Sequence, residues 1–295
     1  MRRGKIAFII SYIIAVFIVS VFMILGVKIY KTEDEISEMK SDEVVVSFDE
    51  IEESKRRELS YLSLSEDPNA DDAKIVENAL VKWNFQSSEG KKLAYLTFDD
   101  GPSTRVTSEV LDVLKEHNVK ATFFVLGSML EKSEDSRLAL MRMVEEGHAI
   151  GNHGYCHKYE VLYPNSYVNV TAFMNDMDKS LESMRSVLGE EFGTRVLRFP
   201  GGHNSWRTSA IDKVLTEKDY AFIDWNIVNG DAHSAVLSKD QMMNNLRKYI
   251  KKMNKNNDTI VVLMHDTDKN VNEAAFLNEA IIYLKDLGYE FRTLK

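Results

Sequence analysis

Residues 93–102 read Leu-Ala-Tyr-Leu-Thr-Phe-Asp-Asp-Gly-Pro. A short apolar, β-favouring run stops on two carboxylates and a turn signal. That is the form of a buried strand with polar groups at its carboxyl end. The same texture recurs downstream. Strands are expected at Leu93–Phe98, Ala121–Leu126, Ala149–Asn152, Val196–Phe199, Ala221–Trp225, Thr259–Met264 and Glu290–Leu294. Helices are expected between them at Thr107–His117, Asp135–Glu146, Val170–Leu188, Ser209–Lys218, Lys239–Lys252 and Asn272–Leu287. Val110, Leu111 and Leu114 form one apolar stripe, and Leu138, Met141 and Val144 another. Strands that alternate with helices imply βα units and parallel pairing. About seven strands over residues 91–295 fit either a β/α barrel or an open doubly wound sheet.

Both folds assemble sites at the carboxyl ends of their strands. The first strand ends on Asp99 and Asp100, which repel unless a cation or a proton lies between them. The third ends Gly151-Asn-His153-Gly-Tyr-Cys-His157, and three of the seven histidines fall within residues 148–157. Imidazole nitrogens four residues apart suit zinc and its first-row neighbours. Cys156 lies inside the pair and reads as a small packing residue, with a thiolate ligand or reactive thiol as the alternative. The fourth strand ends with Arg198, which needs an anion nearby, followed by Pro200-Gly201-Gly202, where backbone amides can approach a ligand. The fifth brings Asp224-Trp225, with Asp231 beyond, and the sixth ends Leu263-Met264-His265-Asp266. Each piece has a bland reading as a turn or a cap. Their recurrence at successive strand ends points to one site.

Together, Thr97-Phe-Asp99-Asp100-Gly-Pro, His153-x-x-x-His157, Arg198-Phe-Pro-Gly201-Gly and Leu263-Met-His265-Asp resemble the motifs of the polysaccharide deacetylases. This is the NodB-homology group, carbohydrate esterase family 4, and the resemblance covers residues 90–295. It implies a distorted (β/α) barrel of about seven parallel strands. It implies that Asp100, His153 and His157 hold one divalent metal, zinc in most of the family, with Co²⁺ or another first-row ion as alternatives. Asp99 is then the general base, held by Arg198. His265 is the general acid, oriented by Asp231. The Gly201 amide binds the oxyanion, and Leu263 lines the pocket for the acetyl methyl. Two departures stand out. Gly154 replaces the family's Ser or Thr after the first histidine, so that loop needs another brace. Ala232 stands where the fourth motif has tryptophan, if Asp231 is that motif's aspartate; a rival alignment uses Asp224-Trp225.

Upstream, Ile6–Val27 contains 22 residues and no charge. About 20 helical residues cross a bilayer. Arg2, Arg3 and Lys5 before it place residues 1–5 in the cytoplasm and the rest outside. The run is too long for a signal-peptide core, and no small-x-small cleavage site follows it. Thr32–Ser60 carries 11 acids against four bases. Residues 28–89 read as an acidic extracytoplasmic spacer, with a helix within Ala73–Trp83 that can pack on the domain. The net charge of −9 excludes the basic footprint of a nucleic-acid binder. A single cysteine excludes an internal disulfide framework. The sequence carries no signal for a protein partner. The expected protein is a single-pass, membrane-anchored, metal-dependent deacetylase of a cell-wall glycan, most concretely of peptidoglycan N-acetylglucosamine. The alternatives are an O-deacetylase of xylan or an exopolysaccharide, and an inactive glycan-binding domain on a stalk.

Overall fold

Strands and helices alternate through the chain as the hydrophobic pattern requires. The computed structural model describes residues 61–86, 90–232, 236–253 and 258–295. They fold in the order β1 (Ala70–Asp71), α1 (Ala73–Val81), β2 (Lys92–Asp99), α2 (Val106–Glu116), β3 (Thr122–Val125), α3 (Gly127–Leu130), α4 (Glu134–Glu145), β4 (Ala149–Asn152), α5 (Tyr159–Leu162), α6 (Val170–Leu188), β5 (Val196–Leu197), α7 (Ser209–Glu217), β6 (Ala221–Phe222), β7 (Ile227–Val228), α8 (Lys239–Lys252), β8 (Thr259–His265), α9 (Glu273–Asp286), β9 (Tyr289–Phe291) and β10 (Thr293–Leu294). Polar side chains start the longer helices. Ser133 caps α4, Asn169 caps α6, and Ser238 with Gln241 forms a capping box on α8.

Seven strands pair in the order β6-β5-β4-β3-β2-β8-β7, all parallel. β9 adds to the start of β2, and β1 pairs with β10. The two edge strands, β6 and β7, are joined by residues 223–226 alone. Five Cα steps reach at most about 19 Å, whereas six strand spacings laid flat need about 29 Å. The sheet therefore has to curl until its edges approach. The connecting chain closes the seam: Ile223 N–H donates to Leu197 O on one side, and Asn226 N–H donates to Val261 O on the other. This decides for a distorted barrel over an open doubly wound sheet.

The pleat sorts the side chains. Along β2, Ala94, Leu96 and Phe98 face the outer helices, as do Ile260, Val262 and Met264 of β8. The alternate residues Tyr95 and Val261 face inward. Period two carries that inner face upward to Thr97 and Asp99 on β2, and to Leu263 and His265 on β8. One face of each strand thus supplies barrel filling at its start and chemistry at its end.

The floor of the barrel comes from upstream of the expected domain boundary. Ala73, Val76 and Leu80 of α1, together with Phe85, share a core cluster with Tyr95, Phe124, Val196, Ile223 and Val261. Tyr95 Oη donates to Asp71 Oδ2 at 2.7 Å, and Phe85 O accepts from Asp258 N and Thr259 N. Residues 61–86, read from sequence as the end of a spacer, therefore pack on the barrel. The expected anchor at 6–27 lies outside the described residues. Among the described residues, no helix is long and apolar enough to cross a membrane.

Some expected strands are shorter. Val196–Phe199 and Ala221–Trp225 pair over only two residues each, because each chain leaves the sheet to carry Arg198 or Asp224-Trp225. Glu290–Leu294 divides at Arg292 into strands that belong to different sheets. Phe85 is 3% exposed, so Phe85→Ala in the full chain should cost about 3–5 kcal/mol. Denaturant unfolding followed through the barrel aromatics checks this. An unchanged midpoint would mean that the segment is only a tether.

Candidate active site

The carboxyl ends of β2, β4, β5 and β8 open into one cavity of about 1030 Å³. Eight of the nine side chains and glycines singled out from the sequence line it: Asp99, Asp100, His153, His157, Gly201, Asp231, Leu263 and His265. The ninth, Arg198, lies beneath them and is wholly buried.

On one side of the cavity, Asp100, His153 and His157 each turn one ligand atom toward a common point, all within 4.8 Å of one another. Nε2 of His153 is 3.5 Å from Asp100 Oδ1, and Nε2 of His157 is 3.6 Å from it. Asp100 and His157 have φ of 71° and 52°, a left-handed backbone that costs about 1–3 kcal/mol per residue. Asp100 Oδ1 is buried and accepts no hydrogen bond from the described residues. A buried carboxylate oxygen without a donor is costly, and a cation removes that cost. The His153 Nδ1–H donates to Arg198 O at 2.9 Å, which leaves Nε2 as the lone pair. Burial outweighs the charges of Asp99 and Asp100 and holds His153 below the ordinary imidazole range. Neutral imidazole is the ligating form. Two imidazoles and one carboxylate fit a divalent cation such as zinc and leave coordination positions for other ligands.

The loop that carries the histidines has its own brace. Both oxygens of Asp176, on α6, accept from backbone amides: Tyr155 N at 2.7 Å and Cys156 N at 3.2 Å. Asn152 Oδ1 accepts from Gly154 N at 2.8 Å. Gly154 has φ of 81°, and a Cβ there would overlap Asp176 Oδ2. The hydroxyl that the motif lacks at 154 is thus replaced by a carboxylate from α6. Cys156 is free and half-buried, and it is not in the ligand cluster.

Beside the ligand cluster, Asp99 is 3% exposed. Its Oδ1 accepts from Arg198 Nη1 at 2.7 Å, and its Oδ2 lies 3.7 Å from His153 Nε2. Arg198 spends its other donors on Thr97 Oγ1, Ile223 O and Asp224 O, and its face stacks on Phe124. On the neighbouring strand β8, in register with Asp99, His265 Nδ1–H donates to Asp231 Oδ1 at 2.9 Å, and the His265 backbone amide donates to Oδ2 at 2.7 Å. Burial pulls the His265 imidazole down. The hydrogen bond and charge of Asp231, with the charges of Asp99 and Asp100, outweigh it and push the group up to about 9.

Of the two candidate aspartates, Asp231 is the one bonded to His265. Asp224 accepts from the amides of His203 and Asn204 and caps the turn after Gly202. Gly201 has φ of 78°, and a Cβ there would meet Tyr159 Oη at 3.0 Å. Leu263 is 6% exposed and lines the cavity beside Ala232, with Leu126, Trp225 and Leu237 supplying further apolar wall.

Sequence reasoning missed Asp176, Asn229, Asp266 and Glu273. Thr107 Oγ1 donates to Asp266 Oδ2 at 2.5 Å, and a Cβ on Gly101 would overlap that carboxylate. Burial pushes Asp266 up to about 7. The only sequence signal for Asn229, Asp266 and Glu273 was a polar type at a helix start or beside a motif, and Asp176, inside α6, had none. Their partners are distant in sequence.

The chain matches known proteins along most of this domain. The sequence profile of the family described as "Polysaccharide deacetylase" matches residues 86–222, short of Asp231 and His265. A putative polysaccharide deacetylase of Bacillus subtilis is 30% identical over 75% of this chain and 72% of its own. A peptidoglycan-N-acetylglucosamine deacetylase of Bacillus cereus is 32% identical over 71% of this chain and 70% of its own. The structure of a Streptococcus mutans CE4 esterase superposes with a TM-score of 0.69 at 35% identity, covering 77% of this chain and 92% of that one.

The brace makes a direct prediction. Gly154→Ser introduces the side chain that the motif favours, yet here it meets Asp176 on a backbone with positive φ. It should lower stability by at least about 1 kcal/mol. Asp176→Ala should weaken zinc retention by about 10- to 100-fold, the usual effect of losing an outer support. Denaturant melts and competition with a chelator measure the two effects.

Proposed function

The chain belongs to the polysaccharide deacetylase family, and from that premise we propose that it hydrolyses the acetamide of N-acetylglucosamine units in peptidoglycan, releasing acetate. The observation that carries this reading is the convergence, in one cavity, of Asp99 beside a three-residue ligand cluster and, on the neighbouring strand, His265 bonded to Asp231. The relatives named as peptidoglycan-N-acetylglucosamine deacetylases support the substrate class. Asp100, His153 and His157 hold the metal. A divalent ion there supplies a Lewis acid for the amide carbonyl and a water of lowered pKa.

The chain's own residues move the protons. Asp99 accepts the proton of the attacking water at Oδ2, while Arg198 keeps Oδ1 occupied. The Gly201 N–H faces the carbonyl oxygen as it gains charge. His265, cationic through Asp231, donates its Nε2 proton to the departing nitrogen as the C–N bond breaks. The apolar wall around Leu263 receives the methyl group. The run at 6–27 anchors the chain in the cell membrane with this domain outside, where the glycan lies. Its supports are the 22 uncharged residues and the basic flank before them.

Acetate release from N-acetylated peptidoglycan fragments, with acetylated xylan in parallel, tests the reading. Asp99→Asn and His265→Ala should each retain zinc yet lose about 100- to 10,000-fold in kcat. Near-wild-type release by Asp99→Asn would rule out the assigned base. Alkaline pH supplies a second test. His265 acts while protonated, so kcat should fall as pH rises through its pKa, about 9. Asp231 raises that pKa, so Asp231→Asn should move the alkaline limb to lower pH. An unmoved limb would separate Asp231 from the acid.

A further inference from the structure

Glu273 is the first residue of α9, it lies against the active-site cavity, and no mechanistic step above uses it. It is wholly buried. Asn229 Nδ2 donates to both of its oxygens, at 3.0 and 3.2 Å. Asn229, also wholly buried, is itself fixed: its Oδ1 accepts from Asp231 N at 3.1 Å, and its carbonyl accepts from Asn245 Nδ2 at 2.8 Å. Asn229 thus ties Glu273 to Asp231, and the two carboxyls lie close enough to act on each other directly.

Two carboxyls this close favour holding one proton between them. Asp231 faces the His265 ring, whose cation favours an ionised Asp231. The charges that act most strongly on Glu273 are those of acids, Asp231 and Asp266. The proton therefore belongs on Glu273. The start of α9 favours an anion, but burial and the charge of Asp231 outweigh this and push Glu273 well above the ordinary carboxyl range.

We propose that Glu273 is a positioning residue whose un-ionised carboxyl donates its hydrogen to Asp231, holding that carboxylate against His265. The result is a buried series, Glu273 to Asp231 to His265. A second support comes from Asn270, whose Nδ2 donates to Asp231 Oδ2 at 3.3 Å. With Asp231 fixed on one side by Glu273 and Asn270, its other contacts are left for the imidazole and the His265 amide. The series keeps the acid's ring in one orientation without adding a second negative charge behind it.

The inference rests on the reading of His265 as the proton donor, and the test separates the two. The measurement is an NMR titration of the His265 imidazole, assigned with His265→Gln, in the full chain and in Glu273→Gln and Glu273→Leu. The ionisable groups that face His265 are Asp231, Asp99 and Asp100, and all three are retained. Glu273→Gln keeps a donor and removes no charge, so the His265 midpoint should stay at its wild-type value. The infrared C=O band of an un-ionised acid at neutral pH should disappear. If Glu273 were ionised, the same variant would drop the midpoint by roughly 1–3 units, which would overturn the proposal. Glu273→Leu removes the donor, and kcat/KM should fall about tenfold, with Glu273→Gln restoring most of it. A Leu variant with wild-type kcat/KM and pH profile, altered only in melting temperature, would reduce Glu273 to packing. A failed acid reading would show as an active His265→Ala enzyme and would leave the titration result intact.

Discussion

A guanidinium that sees no solvent sits in the middle of the barrel. Arg198 leaves β5, crosses the interior and meets Asp99 at the end of β2, Thr97 one pleat below it, and the carbonyls of Ile223 and Asp224 in the seam. Removing one member of such a buried pair costs about 3–5 kcal/mol, because the other charge is left without compensation. The same contacts join the two parts of the sheet that share no ladder, the centre at β2 and the edge at β6. Arg198 thus separates the apolar floor from the polar mouth. It also fixes one oxygen of Asp99, so that only the other faces the cavity.

The adjacent carboxylates Asp99 and Asp100 acquire different work from that constraint. Asp99 is the last inward residue of β2 and inherits its direction from the pleat. Asp100 is the first residue off the strand, and its positive φ swings the side chain toward His153 and His157. The Asp266 carboxylate beneath Gly101 leaves no room for a side chain there, so the turn can take few other paths. Around His265, electrostatics sorts the acids in the same way. His265 faces Asp231, whereas the charges that act most on Glu273 are acids, so Glu273 carries the proton.

Long periodic elements were legible in the sequence, and β4, α6 and α8 end where the pattern puts them. Runs such as 93–98 read clearly because both of their faces are buried. β7 was invisible because two paired residues carry no period, and its partner β8 lies over thirty residues away. The floor helix α1 was legible as a helix that can pack on the domain, but its three-residue apolar face in an acidic neighbourhood left it on the spacer side of the boundary. The site side chains could be found because each ends a strand or belongs to a motif. Asp176 and Glu273 could not, since each sits on a helix and meets its partners only once the domain has folded. The choice between Asp224 and Asp231 needed coordinates for the same reason.

Crystallography of the zinc-loaded chain, with anomalous scattering measured on both sides of the zinc edge, tests the central claim most directly. The account predicts a single peak bonded by Asp100, His153 and His157 at about 2.0–2.2 Å, with Asp99 still bonded to Arg198 and outside the coordination sphere. An ion bonded through Asp99, or a peak away from the two histidines, would contradict it.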